Sequence, residues 1–142
     1  MPVFGKTSLE RLRTCDHRLQ EIAFEVVKRF DCTVVEGHRS EELQNHCFDT
    51  GKSKLRWPNS KHNSIPSRAI DIAVWDGSQR RIVWGDQSQY DRETALLFAA
   101  FFKGVAAGLG YEVIWGGDWD SDWSRKDQSF HDWPHFELIG KE

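Results

Sequence analysis

The chain has 142 residues, with 19 Lys and Arg against 22 Asp and Glu and a net charge of −3 at pH 7. No run of basic residues is longer than two, so the basic stripe of a protein that binds a phosphate backbone is missing and nucleic acid is not an expected partner. The longest apolar run, Ala95 to Phe102, is far shorter than the ~20 residues that span a bilayer, and the N-terminal residues contain no apolar segment of a secretory signal. We predict one domain over residues 1–142, with no transmembrane segment and no signal peptide.

The N-terminal part of the chain predicts two helices around a short strand. A capping box at Thr7 and Glu10 begins a helix, and its apolar stripe continues at helical spacing as far as Phe30. The β-branched segment Cys32–Glu36 predicts a strand. Ser40 is placed to cap the helix that follows it.

The remaining elements follow one another without a regular βαβ rhythm. A long loop over residues 51–68 is rich in Gly, Ser, Asn and Pro, and loops of this length inside a compact domain are often functional. The elements predicted after it are a strand Ala69–Trp75, a hairpin partner Arg80–Trp84, a helix Asp91–Leu109, a strand Tyr111–Trp115, a polar Trp-rich loop Gly116–Ser129 and a last strand Phe136–Ile139. This mixture favours an α+β fold over a doubly wound sheet.

Polar residues interrupt the predicted apolar pattern where chemistry could take place. Asp71 lies in the middle of an apolar strand, where a carboxylate is costly unless it is paired or bound to a metal. His62 precedes it in the long loop, and His135 lies near the C-terminus. Two imidazoles and one carboxylate form a donor set that suits zinc, with a fourth position left for water. The spacing also allows another interpretation, in which Asp71 and His135 form a buried structural pair and His62 lies on the surface.

Two acidic residues flank His135. Asp132 lies three residues before it, so the two side chains can face the same water, with Asp132 as the general base. Pro134 fixes φ between them and stiffens the turn. Glu137 lies two residues after His135 and, in an extended segment, leaves the same face and can orient the imidazole. The alternatives are a turn carboxylate at Asp132 and a solvated strand position at Glu137.

These residues occur in linked motifs that resemble the zinc D-Ala-D-Ala carboxypeptidase/dipeptidase family. Ser60-Lys61-His62 followed by Ala69-Ile70-Asp71 matches its first motif, and Asp132-Trp133-Pro134-His135-Phe136-Glu137 matches its last. Gly37-His38-Arg39-Ser40 and Trp115-Gly116-Gly117-Asp118-Trp119 match two further stretches, and all four occur in the same order as in the family. Within the family, the chain is most similar to the phage L-alanyl-D-glutamate endopeptidases, and the resemblance covers most of its length.

The resemblance implies a fold, a cofactor and the roles of particular residues. The implied fold is a small antiparallel sheet flanked by helices, as in the D-Ala-D-Ala peptidases and the Hedgehog signalling domain. The implied zinc ligands are His62, Asp71 and His135. Asp132 is the implied acid/base, Arg39 faces the substrate carboxylate or the developing oxyanion, and Ser60 shapes the site through a hydrogen bond. The spacer between His62 and Asp71 is longer than in many members, and we expect it to bulge the loop and leave the ligands in place.

We therefore predict a zinc-dependent peptidoglycan peptidase, a phage endolysin that hydrolyses the L-Ala–D-Glu bond of the stem peptide. Two alternatives stay open, a D-Ala-D-Ala carboxypeptidase or dipeptidase and a non-catalytic zinc-containing domain that binds the wall. The expected protein is a monomer that is made in the host bacterial cytoplasm and acts on the cell wall after release. Its three cysteines form no C-x-x-C motif, which is typical of reduced thiols in that compartment.

Two further groups of residues near the motifs have open interpretations. The first group either lines a groove for glycan or peptide or packs the core and its rim, and consists of Trp119, Trp123 and Trp133. The second is an acidic loop that either binds Ca²⁺ or is solvated, and consists of Asp118, Asp120, Asp122 and Asp127.

Overall fold

The computed structural model describes residues 1–122 and 131–140. Its elements in chain order are α1 (Lys6–Leu12), α2 (His17–Val27), β1 (Cys32–Glu36), α3 (Glu41–Asp49), a 3₁₀ turn (Lys61–Asn63), β2 (Ala69–Asp76), β3 (Arg81–Val83), α4 (Gln89–Gly108), β4 (Val113–Trp115) and β5 (His135–Leu138). Trp123 and Asp127, whose roles the sequence left open, lie outside the described residues. Within those residues, no helix has the length and apolar character needed to cross a membrane.

β2 is the central strand of an antiparallel sheet. β1 pairs with one edge of it, β5 pairs with the other, and β4 extends the sheet beyond β5. β3 forms a short hairpin with the end of β2. α4 packs against β2, β4 and α2, while α1 packs against β1. The predicted α+β architecture, a small antiparallel sheet with flanking helices, is confirmed.

The side chains of β2 alternate between two covered faces. Ile70 and Ile72 are fully buried in the hydrophobic core, together with Phe136 of β5. Because successive residues of a strand point to opposite faces, Asp71 leaves the face away from that core. The same alternation in β5 turns His135 to the face of Asp71. β2 therefore turns apolar side chains to the core on one face of the sheet and Asp71 to the other face. We call this second face, which carries Asp71 and His135, the functional face.

The prediction of a single N-terminal helix, made from the apolar stripe, is wrong because the structure has two helices in this segment. α1 ends at Leu12 and α2 begins at His17. Between them, the Asp16 N–H donates to the Ser67 carbonyl and the Ser67 N–H donates to the Thr14 carbonyl, both at 2.8 Å. This pairing with a distant loop takes the backbone out of the helix although the apolar spacing continues through it.

The capping box predicted for this segment is also wrong. α1 begins at Lys6 with Gly5 as its N-cap, and no side chain caps it. Thr7 therefore lies inside the first turn instead of before it. The ends of the other elements differ from the predicted ones by at most two residues.

Asp16 contributes a pH-dependent part of the stability. Its carboxylate caps α2 and accepts two hydrogen bonds from the Arg18 guanidinium at 2.9 Å each, which lower its pKa from 3.8 to about 2. We expect Asp16→Asn to lower the free energy of unfolding by about 2 kcal/mol at pH 7. The pKa is lower in the folded state, so this contribution is present above pH 4 and is lost as the pH falls towards 2. Chemical unfolding of both proteins between pH 7 and pH 3 measures it, and a difference that stays constant with pH would contradict this origin.

The three cysteines are free thiols, as the sequence predicted, and the structure shows that all three are buried: Cys15, Cys32 and Cys47. Burial raises the pKa of Cys15 and of Cys32 to about 12. Such thiols are inert and serve as packing residues.

Candidate metal centre

Three side chains meet on the functional face of the sheet. His62 Nε2 lies 3.1 Å from Asp71 Oδ1 and 3.2 Å from His135 Nδ1, and the last two atoms lie 3.2 Å apart. Donor atoms held about 2.0–2.2 Å from a tetrahedral zinc ion lie about 3.3 Å from one another. The triangle therefore has the size that such an ion requires, and all three residues are buried.

The register of the sheet brings two of these residues together. Asp71 of β2 is paired with His135 of β5 on one side and with Glu36 of β1 on the other. Directly paired residues point to the same face, so strand alignment alone puts the carboxylate beside the imidazole. His62 comes from the 3₁₀ turn, which Ser60 caps by accepting a hydrogen bond from the His62 N–H at 3.2 Å.

The outer nitrogens of both imidazoles carry the protons. His62 Nδ1 lies 2.7 Å from the Gly37 carbonyl oxygen and His135 Nε2 lies 2.8 Å from Glu137 Oε1. Both partners are acceptors, so each outer nitrogen donates, and in a neutral ring the inner nitrogen then holds a lone pair. When both rings are neutral, two lone pairs and the Asp71 carboxylate oxygen face one another, an arrangement that favours a bound cation. The donor set and its geometry therefore fit zinc.

Protons compete with a metal for this cluster. Burial lowers the pKa of His135, but its hydrogen bonds with Asp71 and Glu137, together with nearby negative charge, raise it to about 10 in the metal-free protein. Burial raises the pKa of Asp71, but the imidazoles of His62 and His135 hold it below its ordinary value. Because bound metal requires an unprotonated imidazole, metal affinity at this centre falls as the pH is lowered.

Asp132 lies beside the triangle and faces the open side. Its Oδ2 is 3.8 Å from His135 Nδ1, and 31% of its side chain is exposed. Burial of the carboxyl group and the charge of Asp71 raise the pKa of Asp132 to about 6. At neutral pH this carboxylate is ionised, and it is more basic than an ordinary aspartate.

The backbone at Gly116 holds Asp132 in this position. The Asp132 N–H donates to the Gly116 carbonyl, and the Gly116 N–H donates to the His135 carbonyl, both at 2.8 Å. A Cβ atom at position 116 would collide with the Asp132 carbonyl oxygen. The first glycine of the Trp-Gly-Gly motif therefore allows the close approach that sets Asp132 beside the cluster.

Arg39 lies behind Asp71. A guanidinium nitrogen is 3.6 Å from Asp71 Oδ2, and the group also donates to the Glu36 carboxylate and to Gln44 Oε1. The side chain lines the cleft over the cluster, and protein groups hold it in place. Its geometry supports a role in orienting Asp71, while its contact with substrate stays a prediction.

Comparison with known proteins identifies the family. Residues 2–139 match the phage L-alanyl-D-glutamate peptidase model. The chain belongs to this peptidase family. The crystal structure of the Serratia marcescens L-Ala D-Glu endopeptidase ChiX has a similar fold, with a TM-score of 0.69 and 22% identity over 96% of this chain and 90% of that one. The predicted family, the α+β fold and the assignment as a peptidoglycan peptidase are confirmed.

A cleft of about 530 Å³ opens above the cluster of this peptidase. Trp119 lines it, with its ring centre 5.3 Å from that of His135. Trp133 packs against the hydrophobic core, 5.8 Å from Trp115 between ring centres. Trp119 therefore fits the first predicted interpretation, a residue of the groove, and Trp133 fits the second, a residue that packs against the core.

Part of the acidic loop also comes together. The carboxylate oxygens of three of its residues lie within 4.8 Å of one another: Asp118, Asp120 and Asp122.

The sequence did not predict Gln44 as a site residue, although its side chain links Arg39 to the loop that lines the cleft. It is fully buried, and its Oε1 accepts from Arg39 at 2.9 Å and from Asn63 Nδ2 at 3.2 Å. Its Nε2 donates to Ser53 Oγ at 3.0 Å and to the Leu55 carbonyl. A single glutamine on a polar helix is indistinguishable from a surface residue in sequence. Only the packing of α3 against the loop reveals its role.

Proposed function

We propose that this peptidase is a zinc-dependent endolysin that hydrolyses the L-Ala–D-Glu bond of the stem peptide. The triangle of lone-pair atoms carries the zinc assignment, with edges of 3.1–3.2 Å between His62, Asp71 and His135. The proposal that the L-Ala–D-Glu bond is the one cleaved rests on the family to which the chain belongs. Bound zinc supplies Lewis-acid chemistry that acidifies water and polarises a carbonyl.

Asp132 is the proposed general base and general acid. Its Oδ2 takes a proton from the attacking water and returns that proton to the amine nitrogen of the leaving D-Glu residue. The position of Asp132 at the open side of the triangle supports this role. In the metal-free chain its pKa of about 6 also makes it more basic than an ordinary aspartate.

The neighbouring groups hold the proposed ligands in their reactive geometry. Glu137 fixes the ring of His135 and Ser60 fixes the turn of His62. Arg39 orients Asp71 and, as the resemblance implies, stabilises the oxyanion that forms at the scissile carbonyl. In this proposal each ligand has a dedicated partner that keeps its donor atom directed at the metal.

Digestion of purified sacculi tests the function. We expect the zinc-loaded chain to release fragments with new D-Glu amino termini, detected by mass spectrometry. A chelator abolishes this cleavage, and added zinc restores it. Loss of terminal D-Ala instead would identify a carboxypeptidase. Intact stem peptides after incubation with zinc-loaded protein would rule out a catalytic role.

Replacing Glu137 by glutamine is expected to lower zinc affinity by about 10–100-fold. The Glu137 carboxylate accepts the His135 Nε2–H at 2.8 Å and pairs with Lys61 at 3.3 Å, and an amide is a weaker acceptor for that proton. Competition with a chromogenic chelator measures the change. Glu112→Gln, at an exposed position just before β4, is the matched control. Equal affinity in the two variants would exclude a role of Glu137 in holding the ligand.

The cluster is complete within one chain, which supports a proposed monomer with one zinc peptidase domain over residues 1–142. Buried free thiols are compatible with synthesis in the reducing cytoplasm of the host, before the enzyme reaches the wall. Light scattering after size exclusion tests the oligomeric state, and a dimer mass would contradict the monomer.

A further inference from the structure

One wall of the cleft is formed by a loop that carries positive charge. This loop, residues 52–55, is called the cleft loop, and both Lys52 and Lys54 line the cavity. The other cations of the lining, Arg39 and Lys61, are each paired with a carboxylate of the protein. Within residues 1–122 and 131–140, the Lys52 side chain makes no ion pair or hydrogen bond. Lys52 therefore adds positive charge that no side chain of the described residues neutralises.

The cleft loop is fixed relative to the metal centre. Gln44 donates to Ser53 Oγ and to the Leu55 carbonyl, and it accepts a hydrogen bond from Arg39, which contacts Asp71. The backbone N–H groups of residues 52 and 53 donate to one carbonyl of α3 at 2.8 and 3.0 Å. These bonds hold the backbone of both lysines in place beside the cleft, so a ligand that binds there does not have to order the loop.

The charge of this wall of the cleft has the opposite sign to the net charge of the chain. The protein has a net charge of −3, so positive charge concentrated in the cleft indicates an anionic ligand. In a stem peptide, D-Glu is joined to the third residue through its side-chain carboxyl. Its α-carboxylate is therefore free and lies next to the bond that the proposed enzyme cleaves. A carboxylate that enters a cleft loses water and needs a cation to compensate for it.

Resting on the proposed function, we propose that Lys52 and Lys54 form a subsite that binds a free carboxylate of the stem peptide on the amine side of the cut. Two carboxylates that differ between stem peptides have this chemistry, the α-carboxylate of D-Glu and the side-chain carboxylate of diaminopimelate where that is the third residue. The first is adjacent to the scissile bond, and the second is one residue further away. The C-terminal carboxylate is present in both members of each substrate pair below and therefore produces no preference between them.

Paired substrates test this subsite. One pair of muramyl tripeptides carries D-Glu or its amide, D-isoglutamine, at the second residue, and the other carries diaminopimelate or lysine at the third. For the zinc-loaded enzyme we expect a preference of about tenfold in kcat/KM for the acidic member of at least one pair, mainly through KM. The Lys52→Gln/Lys54→Gln variant is expected to reduce that preference to about one, and salt is expected to weaken it in the wild type. If the double variant loses the preference in one substrate pair, the carboxylate that distinguishes the members of that pair is the one that the lysines bind.

Lys6→Gln, an exposed lysine on α1 outside the cleft, is the matched control and is expected to keep the wild-type preference. A double variant that discriminates as strongly as the wild type overturns the subsite, and so does a wild type with no preference in either pair. A zinc-loaded wild type that cleaves none of the four peptides, and no sacculus, overturns the proposed function itself. The two failures are therefore distinguishable.

Discussion

Replacing His135 by alanine is expected to abolish zinc binding and cleavage of the stem peptide together. The change removes one of three donor atoms that lie 3.1–3.2 Å apart, and it leaves His62 and Asp71 facing each other with no third ligand. Two protein ligands hold zinc poorly, and catalysis that depends on the metal falls with occupancy, by at least about 10³-fold. Metal analysis of the purified variant is expected to find far less than the one zinc per chain of the wild type.

His46→Ala is the matched control, because His46 is exposed on α3 outside the cleft. It is expected to retain the metal and the activity. Since His135 also lies in a strand, its variant is compared with the wild type in thermal unfolding, and His62→Ala provides a second variant outside the sheet. Full zinc content in both folded variants would exclude the triangle as the metal centre.

Replacing Asp132 by asparagine is expected to separate metal binding from catalysis. The Asp132 carboxylate is 3.8 Å from His135 Nδ1 and is not part of the triangle, so zinc content stays at the wild-type level. An amide has the same shape but does not take the proton from water. We therefore expect kcat/KM on a soluble muropeptide to fall by about 10²–10⁴-fold, the usual contribution of a general base.

The matched control for Asp132 is Asp86→Asn, an exposed aspartate that does not line the cleft. It is expected to cleave at the wild-type rate. If Asp132→Asn also cleaves at that rate, another group is the general base. If this variant loses zinc, Asp132 is a ligand and the triangle is incomplete.

Local signals in the sequence predicted most of the fold. The strand Cys32–Glu36 and the cap at Ser40 depend on neighbouring residues, and both lie where the sequence predicts them. The break between α1 and α2 depends on hydrogen bonds with Ser67, which is far away along the chain. An apolar stripe carries no trace of such a contact, so the helix that it predicts continues through the break.

The sequence by itself determined the residue types of the centre, the order of the motifs and, through them, the family. Only the tertiary structure decided the distances within the centre, because they depend on the register of β2 against β5 and on the 3₁₀ turn that delivers His62. It also decided the roles of Gln44 and the cleft loop, since burial and partners arise only when separate segments pack together. Donor chemistry is a property of single residues, whereas geometry and charge compensation are properties of the folded chain.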